Sequence, residues 1–251
     1  MAKSLTEWVE TDVKRVKDQP LKWLSEDHFF RDPNRPMYSD NGYLFSPADG
    51  IIIYQQRVQP TECLVEIKGK SYSLQQAIQD EAFDKPCLVI GIFMTMYDVH
   101  VNRIPYPGFL SYRQLEPVGT LNLPMLDLER SIIEDLTIDH GKAAYLHSNQ
   151  RVINRVYAPD INQHYYVLQI ADYDVDCITP FVLSQNAPVS QNQRFSQIRF
   201  GSQVDLIVPL SERYSFEPIQ GPGVHVEGGI DPLVKIGQQA RPPSAPQQHL
   251  V

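Results

Sequence analysis

The sequence predicts an α+β fold rich in β: a single domain of antiparallel or mixed strands behind an N-terminal helical arm. Three observations carry this prediction. Apolar residues near the N-terminus recur at helical spacing, whereas from Tyr43 onward they come in short runs separated by turn formers. The run 87–95 is nearly all apolar, as suits a strand buried on both faces.

The elements follow in order. Ser4 with Glu7 three residues on has the capping-box pattern, and Leu5, Trp8, Val9, Val13 and Val16 share one helical stripe. Pro20 ends or breaks this helix, because its ring removes a backbone donor and clashes with the preceding turn. Residues 31–42 are dense in Pro, Asn, Asp and Gly and read as a connector, so 1–42 form the arm and its connector and the main domain spans 43–240. Strands are expected at 50–54, 63–68, 87–95, 142–147, 151–157, 164–170 and 203–208. Short helices are expected at 73–80, capped by Ser73, and around 126–135. Residues 241–251 have no core-forming pattern and are expected to be disordered.

Bulk properties narrow the function. With 42% hydrophobic and 21% charged residues, the 251-residue chain has an ordinary globular composition and can bury a sizeable core. A net charge of −8 argues against a nucleic-acid partner and, more weakly, against permanent attachment to an anionic membrane. Cys63, Cys87 and Cys177 are widely spaced and form no C-x-x-C pair, which points to reduced thiols. The N-terminus has no apolar signal core, and no apolar stretch reaches the length of a membrane span. A cytoplasmic protein is expected, in peripheral contact with a membrane if its substrate is a lipid. A homo-oligomer is compatible with all of this, and the sequence does not fix the oligomeric state.

Common catalytic signatures are absent. GxxxxGK[ST], GxGxxG and GxSxG do not occur. Among His28, His100, His140, His147, His164, His225 and His249 there is no H-x-x-x-H pair. Asp98 and His100 would face the same side of a strand, but no third ligand is evident, so no metal is expected.

What remains is a combination of three segments. These are Phe45-Ser46-Pro47-Ala48-Asp49-Gly50, Asp98-Val99-His100-Val101-Asn102-Arg103-Ile104-Pro105 and Arg199-Phe200-Gly201-Ser202. Each has an ordinary reading alone: a turn aspartate, a packed histidine, a Gly-Ser turn. Together, and with Lys68–Leu74, Asn149–Val152 and Arg194–Arg199, the chain from about residue 40 to 237 closely resembles the phosphatidylserine decarboxylase family. The resemblance is to the branch with Asp-x-His-Val-Asn-Arg.

The resemblance implies a proenzyme that cuts itself between Gly201 and Ser202, leaving chains 1–201 and 202–251. Ser202 would become a pyruvoyl cofactor, with no PLP and no metal, and would form a Schiff base with the substrate amine. The implied catalytic residues are Ser202, His100 and Asp49, with Asp49 orienting the base and Arg103 and Asn102 binding substrate. Serine needs such a base, being a poor nucleophile at its free pKa. In the other branch a second histidine stands at the position of Arg103, so the base for self-cleavage stays open between His100 and a distant histidine. Gln150 stands where the family commonly has Glu, and 171–180 carries acids where relatives tend to be basic. The implied substrate is phosphatidylserine or a similar serine phospholipid. The alternatives are a free or carrier-bound amino acid, and an uncleaved, non-enzymatic homologue.

Overall fold

The apolar run becomes the strand Cys87–Met94, with every residue buried. In the computed structural model, which describes residues 1–36, 39–116, 118, 122–172, 177–199 and 201–239, its side chains alternate between two cores. Val89 and Phe93 enter one core; Leu88, Ile90, Ile92 and Met94 enter the other. A sheet covered on both faces has no solvent side, which is why the run lacks polar alternation.

This strand lies between Gly50–Val58 and Ser202–Pro209 in a nine-stranded antiparallel sheet. Beyond Ser202–Pro209 the order continues through Gln163–Ala171, Arg151–Ala158, Gly108–Gln114 and Ala187–Val189. The opposite edge is built from Val224–Val226 and then Lys3–Ser4. All eight residues of Ser202–Pro209 are buried, so Ser202 opens an interior strand. Its register partners are Met94 on one side and Ala171 on the other. A smaller three-stranded sheet, Ile178–Pro180, Arg194–Ile198 and Val101–Arg103, holds the segment that follows His100.

The arm is helical as expected. Helical turns run from Leu5 to Val16, passing through a π-helical stretch at Val9–Val13, and resume after Pro20 as Leu21–Trp23 and Leu24–His28. The Ser4 hydroxyl accepts from the Glu7 amide at 3.2 Å. Leu5, Trp8, Val9 and Val13 pack into the first core. Ser73 caps Leu74–Ile78 in a full capping box with Gln76, and the expected helix near 126–135 is Leu126–Ile133.

One expected strand is not there. Residues 142–147 form parts of two 3-10 turns, His140–Lys142 and Ala144–His147. Asp139 starts the first by accepting from the Gly141 amide, and the buried residues Ala143, Tyr145 and Leu146 do not alternate. The sequence reading also passed over Gly108–Gln114, whose mixed polarity reflects partial exposure on one side of the sheet. The tail expected to be disordered, 241–251, lies outside the described residues.

Candidate active site

Ser202 is completely buried at the start of its strand. The chain leaves the neighbouring strand at Met94 and turns back at once. Asp98 shapes that turn: its carboxylate accepts from the Thr95 amide and hydroxyl, both at 2.8 Å, while its own amide donates to the Thr95 carbonyl at 3.0 Å. The reversal sets His100 opposite Ser202, with the serine hydroxyl 3.3 Å from Nδ1.

The far side of the ring fixes its tautomer. Nε2 lies 2.9 Å from the Thr95 carbonyl oxygen. A carbonyl only accepts, so Nε2 carries the proton and Nδ1 is free to accept from Ser202. Burial pushes the His100 pKa down to about 4, so the imidazole is neutral at neutral pH. Phe29 of the arm stacks on the ring, with centroids 4.0 Å apart. The arrangement is a hydroxyl beside an unprotonated base, which is what activation of a serine requires.

Asp98 and His100 do not share a strand face, because Val101 is the first residue of the strand. Asp98 instead pairs with His225 at 2.7 Å, in a buried contact that Trp8 covers at 4.5 Å and 11°. Burial alone would raise the Asp98 carboxyl, but His225 and the Thr95 donors hold it below its ordinary value. Among the described residues, no group of three or more His, Cys, Asp and Glu side chains is placed to hold a metal ion.

Asp49 takes a different position. Arg35 grips its carboxylate with two hydrogen bonds, at 2.7 and 2.6 Å, and the Gly228 amide adds a third at 2.7 Å. Its loop is tied to the Val101–Arg103 strand, because the Arg103 amide donates to the Pro47 carbonyl at 2.8 Å. Both His100 nitrogens face other groups, and the Thr95 carbonyl occupies the place expected for an orienting carboxylate. Asn102 is buried and accepts from Gln169 at 2.6 Å, in a chain that continues to Asn154. Arg103 is 2% exposed; it donates to the Asn192 carbonyl at 3.1 Å and faces Asp32 at 3.5 Å.

The family model of phosphatidylserine decarboxylase matches residues 28–237. The chain belongs to that family. A phosphatidylserine decarboxylase proenzyme of Erythrobacter litoralis is 32% identical over 211 residues, covering 84% of this chain and 72% of the relative. The proenzyme of Novosphingobium aromaticivorans is 32% identical over 210 residues, 84% of this chain and 71% of the relative. That of Zymomonas mobilis is 27% identical over 214 residues, 85% and 73% respectively. The phosphatidylserine decarboxylase family is one of carboxy-lyases, and its span here takes in the Phe29–Arg35 segment as well as Ser202 and His100. No described helix is long and apolar enough to cross a membrane.

For this phosphatidylserine decarboxylase-family site, sequence reading missed the acids beside Gly201. A side chain at 201 would come within 2.8 Å of the Asp172 carboxylate and would have to push it aside, with the Glu129 carboxylate in ordinary contact at 3.8 Å. Glu129 also accepts from the Met96 amide at 3.1 Å. Burial, reinforced by Asp98 and Asp172, pushes its pKa up to about 7. Its place on the short helix Leu126–Ile133 gave no sign of this. His225 was equally silent, 127 residues from Asp98.

Proposed function

We propose that this chain cuts itself between Gly201 and Ser202 and, once cut, converts phosphatidylserine to phosphatidylethanolamine and carbon dioxide. The observation that carries the reading is the Ser202 hydroxyl on the unprotonated Nδ1 of His100, directly after Gly201, in a chain of this family.

The residues act in the following way. Neutral His100 takes the Ser202 proton as Oγ bonds to the Gly201 carbonyl carbon. The C–N bond breaks, the nitrogen leaves with the proton from the imidazolium, and an ester replaces the amide. Loss of the Ser202 α-proton then expels the Gly201 carboxylate and leaves a dehydroalanine at 202. Tautomerisation and hydrolysis release ammonia and give a pyruvoyl end. Ser202 fits that origin, being buried between Met94 and Ala171 with an imidazole on its hydroxyl. Joined to the substrate amine, the pyruvoyl group would supply the sink for the electron pair that departing carbon dioxide leaves behind. His100, its tautomer held by Thr95, is placed to move protons in both stages. Asp49 fixes Arg35 at the rim, and Asp98 fixes the turn that presents His100.

The arm also gives the reading its lipid contact. Leu21, Trp23 and Phe30 leave apolar surface exposed on the segment that ends over the site, and we place peripheral membrane contact there.

Intact-mass analysis with and without a hydrazine tests the first stage. The expected result is chains of residues 1–201 and 202–251, with the adduct on the smaller one. Full-length chain alone after prolonged incubation would overturn the reading. Vesicles containing phosphatidylserine, assayed beside free serine and other amino acids, test the second stage. Carbon dioxide from the free acids alone would reassign the substrate.

A further inference from the structure

Residues 28–35 lie across the site and touch several of its groups. Phe29 stacks on His100, and Arg35 holds Asp49. Arg31 donates to the Tyr97 carbonyl at 2.6 Å and the Asp98 carbonyl at 3.1 Å. Asp32 reaches two arginines from other parts of the chain. Its Oδ1 is 3.5 Å from Arg103 and its Oδ2 is 2.6 Å from Arg194 Nε.

Asp32 is a poor match for these partners. Arg103 Nε is buried and has no hydrogen-bond partner. Arg194 Nε pairs with Asp32 at 2.6 Å without hydrogen-bond geometry, on a side chain that is partly exposed. An unmade bond at a buried guanidinium is costly. Four arginines (31, 35, 103 and 194) gather here against Asp32 and Asp49, and Arg35 already spends its fork on Asp49. Removing Asp32 would leave Arg103 and Arg194 without the carboxylate they share.

We propose that Arg103 and Arg194 form the subsite for the phosphodiester of the substrate head group, and that Asp32 holds its place until residues 28–35 move aside. This rests on the decarboxylase reading and identifies which substrate anion is gripped. The carboxylate departs as neutral carbon dioxide, so an arginine fork on it would stabilise the starting state more than the transition state. The phosphodiester keeps its charge throughout. Its two non-bridging oxygens can meet both arginines at once, as the two oxygens of Asp32 do.

The test uses uncut Ser202→Ala chain, so it depends on neither cleavage nor decarboxylation. Calorimetry with glycerophosphoserine, and separately with phosphatidylserine in phosphatidylcholine vesicles, compares this chain with versions also carrying Asp32→Asn or Arg194→Gln. Asp32→Asn should tighten both ligands, and Arg194→Gln should weaken both, each by about fivefold. Unchanged affinities would overturn the proposal, as would a change with vesicles alone, which would mean that the lipid surface rather than the head group is being read. A further measurement needs no second substitution. Saturating glycerophosphoserine should speed tryptic cleavage after Arg31 as the segment lifts, and an unaltered rate would count against displacement. Binding without any decarboxylation by the Ser202 chain would sink the proposed function and leave the subsite standing.

Discussion

The two buried histidines of the site, His100 and His225, are built alike and do opposite things. Each offers Nε2 to an oxygen and each lies under an aromatic ring, Phe29 for one and Trp8 for the other. The oxygens differ. His100 meets the Thr95 carbonyl, which fixes a tautomer without adding a full charge, so burial keeps the ring neutral. His225 meets the Asp98 carboxylate, and the pair anchors the turn that carries His100. Whether a buried histidine serves as base or as anchor is decided here by the charge on its partner.

The largest test of that contrast is His100→Ala, which should slow self-cleavage by roughly 10²- to 10⁴-fold in a time course of intact mass. An unimpaired rate would remove His100 from the chemistry. Next is His225→Leu in the Ser202→Ala background, which strands the Asp98 charge and should cost about 3–5 kcal/mol in urea unfolding. A neutral result there would mean that Asp98 does not depend on His225. The pH dependence comes third. His100 has a folded pKa of about 4 against an ordinary 6.5, so between these values the unfolded chain binds more protons. Stability contributed by His100 is present above pH 6.5 and is lost as pH falls to about 4, with a size on the order of 3 kcal/mol. His100→Asn should flatten that slope in acid-to-neutral unfolding curves, and self-cleavage should fail as pH drops through 4. The smallest effect is Trp8→Phe, which trims the ring over His225 and should cost about 1 kcal/mol without altering the cleavage rate. A slowed rate would show that His225 takes part in the chemistry.

The legible parts of the sequence were those governed by local pattern or by a family signature. Cys87–Met94 announced itself because a strand buried on both faces is written in continuous apolar residues, whereas Ser202–Pro209 buries Ser202, Gln203 and Asp205 as well and showed only a strand-like run from 203 to 208. Ser73 and Leu74–Ile78 followed from capping chemistry. Ser202 and His100 were marked by their motifs, and the fold brings them within hydrogen-bond reach. Groups whose meaning depends on distant partners were not legible. Arg35 on Asp49, His225 on Asp98, and Glu129 and Asp172 beside Gly201 are pairings made by sheet order and by the arm folding back. The false strand at 142–147 failed for a local reason: Asp139 offered the backbone a tighter turn than its apolar content suggested.

The position of Ser202 at the head of an interior strand has a consequence for the finished protein. A cut there would divide the molecule through its middle, since the strand Ser202–Pro209 is clasped on both sides by strands of the other piece. Tyr214–Pro218 and Pro232–Gln238 would hold a second grip through Tyr43–Phe45. The two pieces would then be a complementation pair with no covalent tether. The uncut chain can search for its fold alone, but the cut pair, once unfolded, must find each other by collision. Recovery after denaturation should therefore depend on protein concentration only after the bond is broken. The chain would use its continuity once, to assemble, and then discard it.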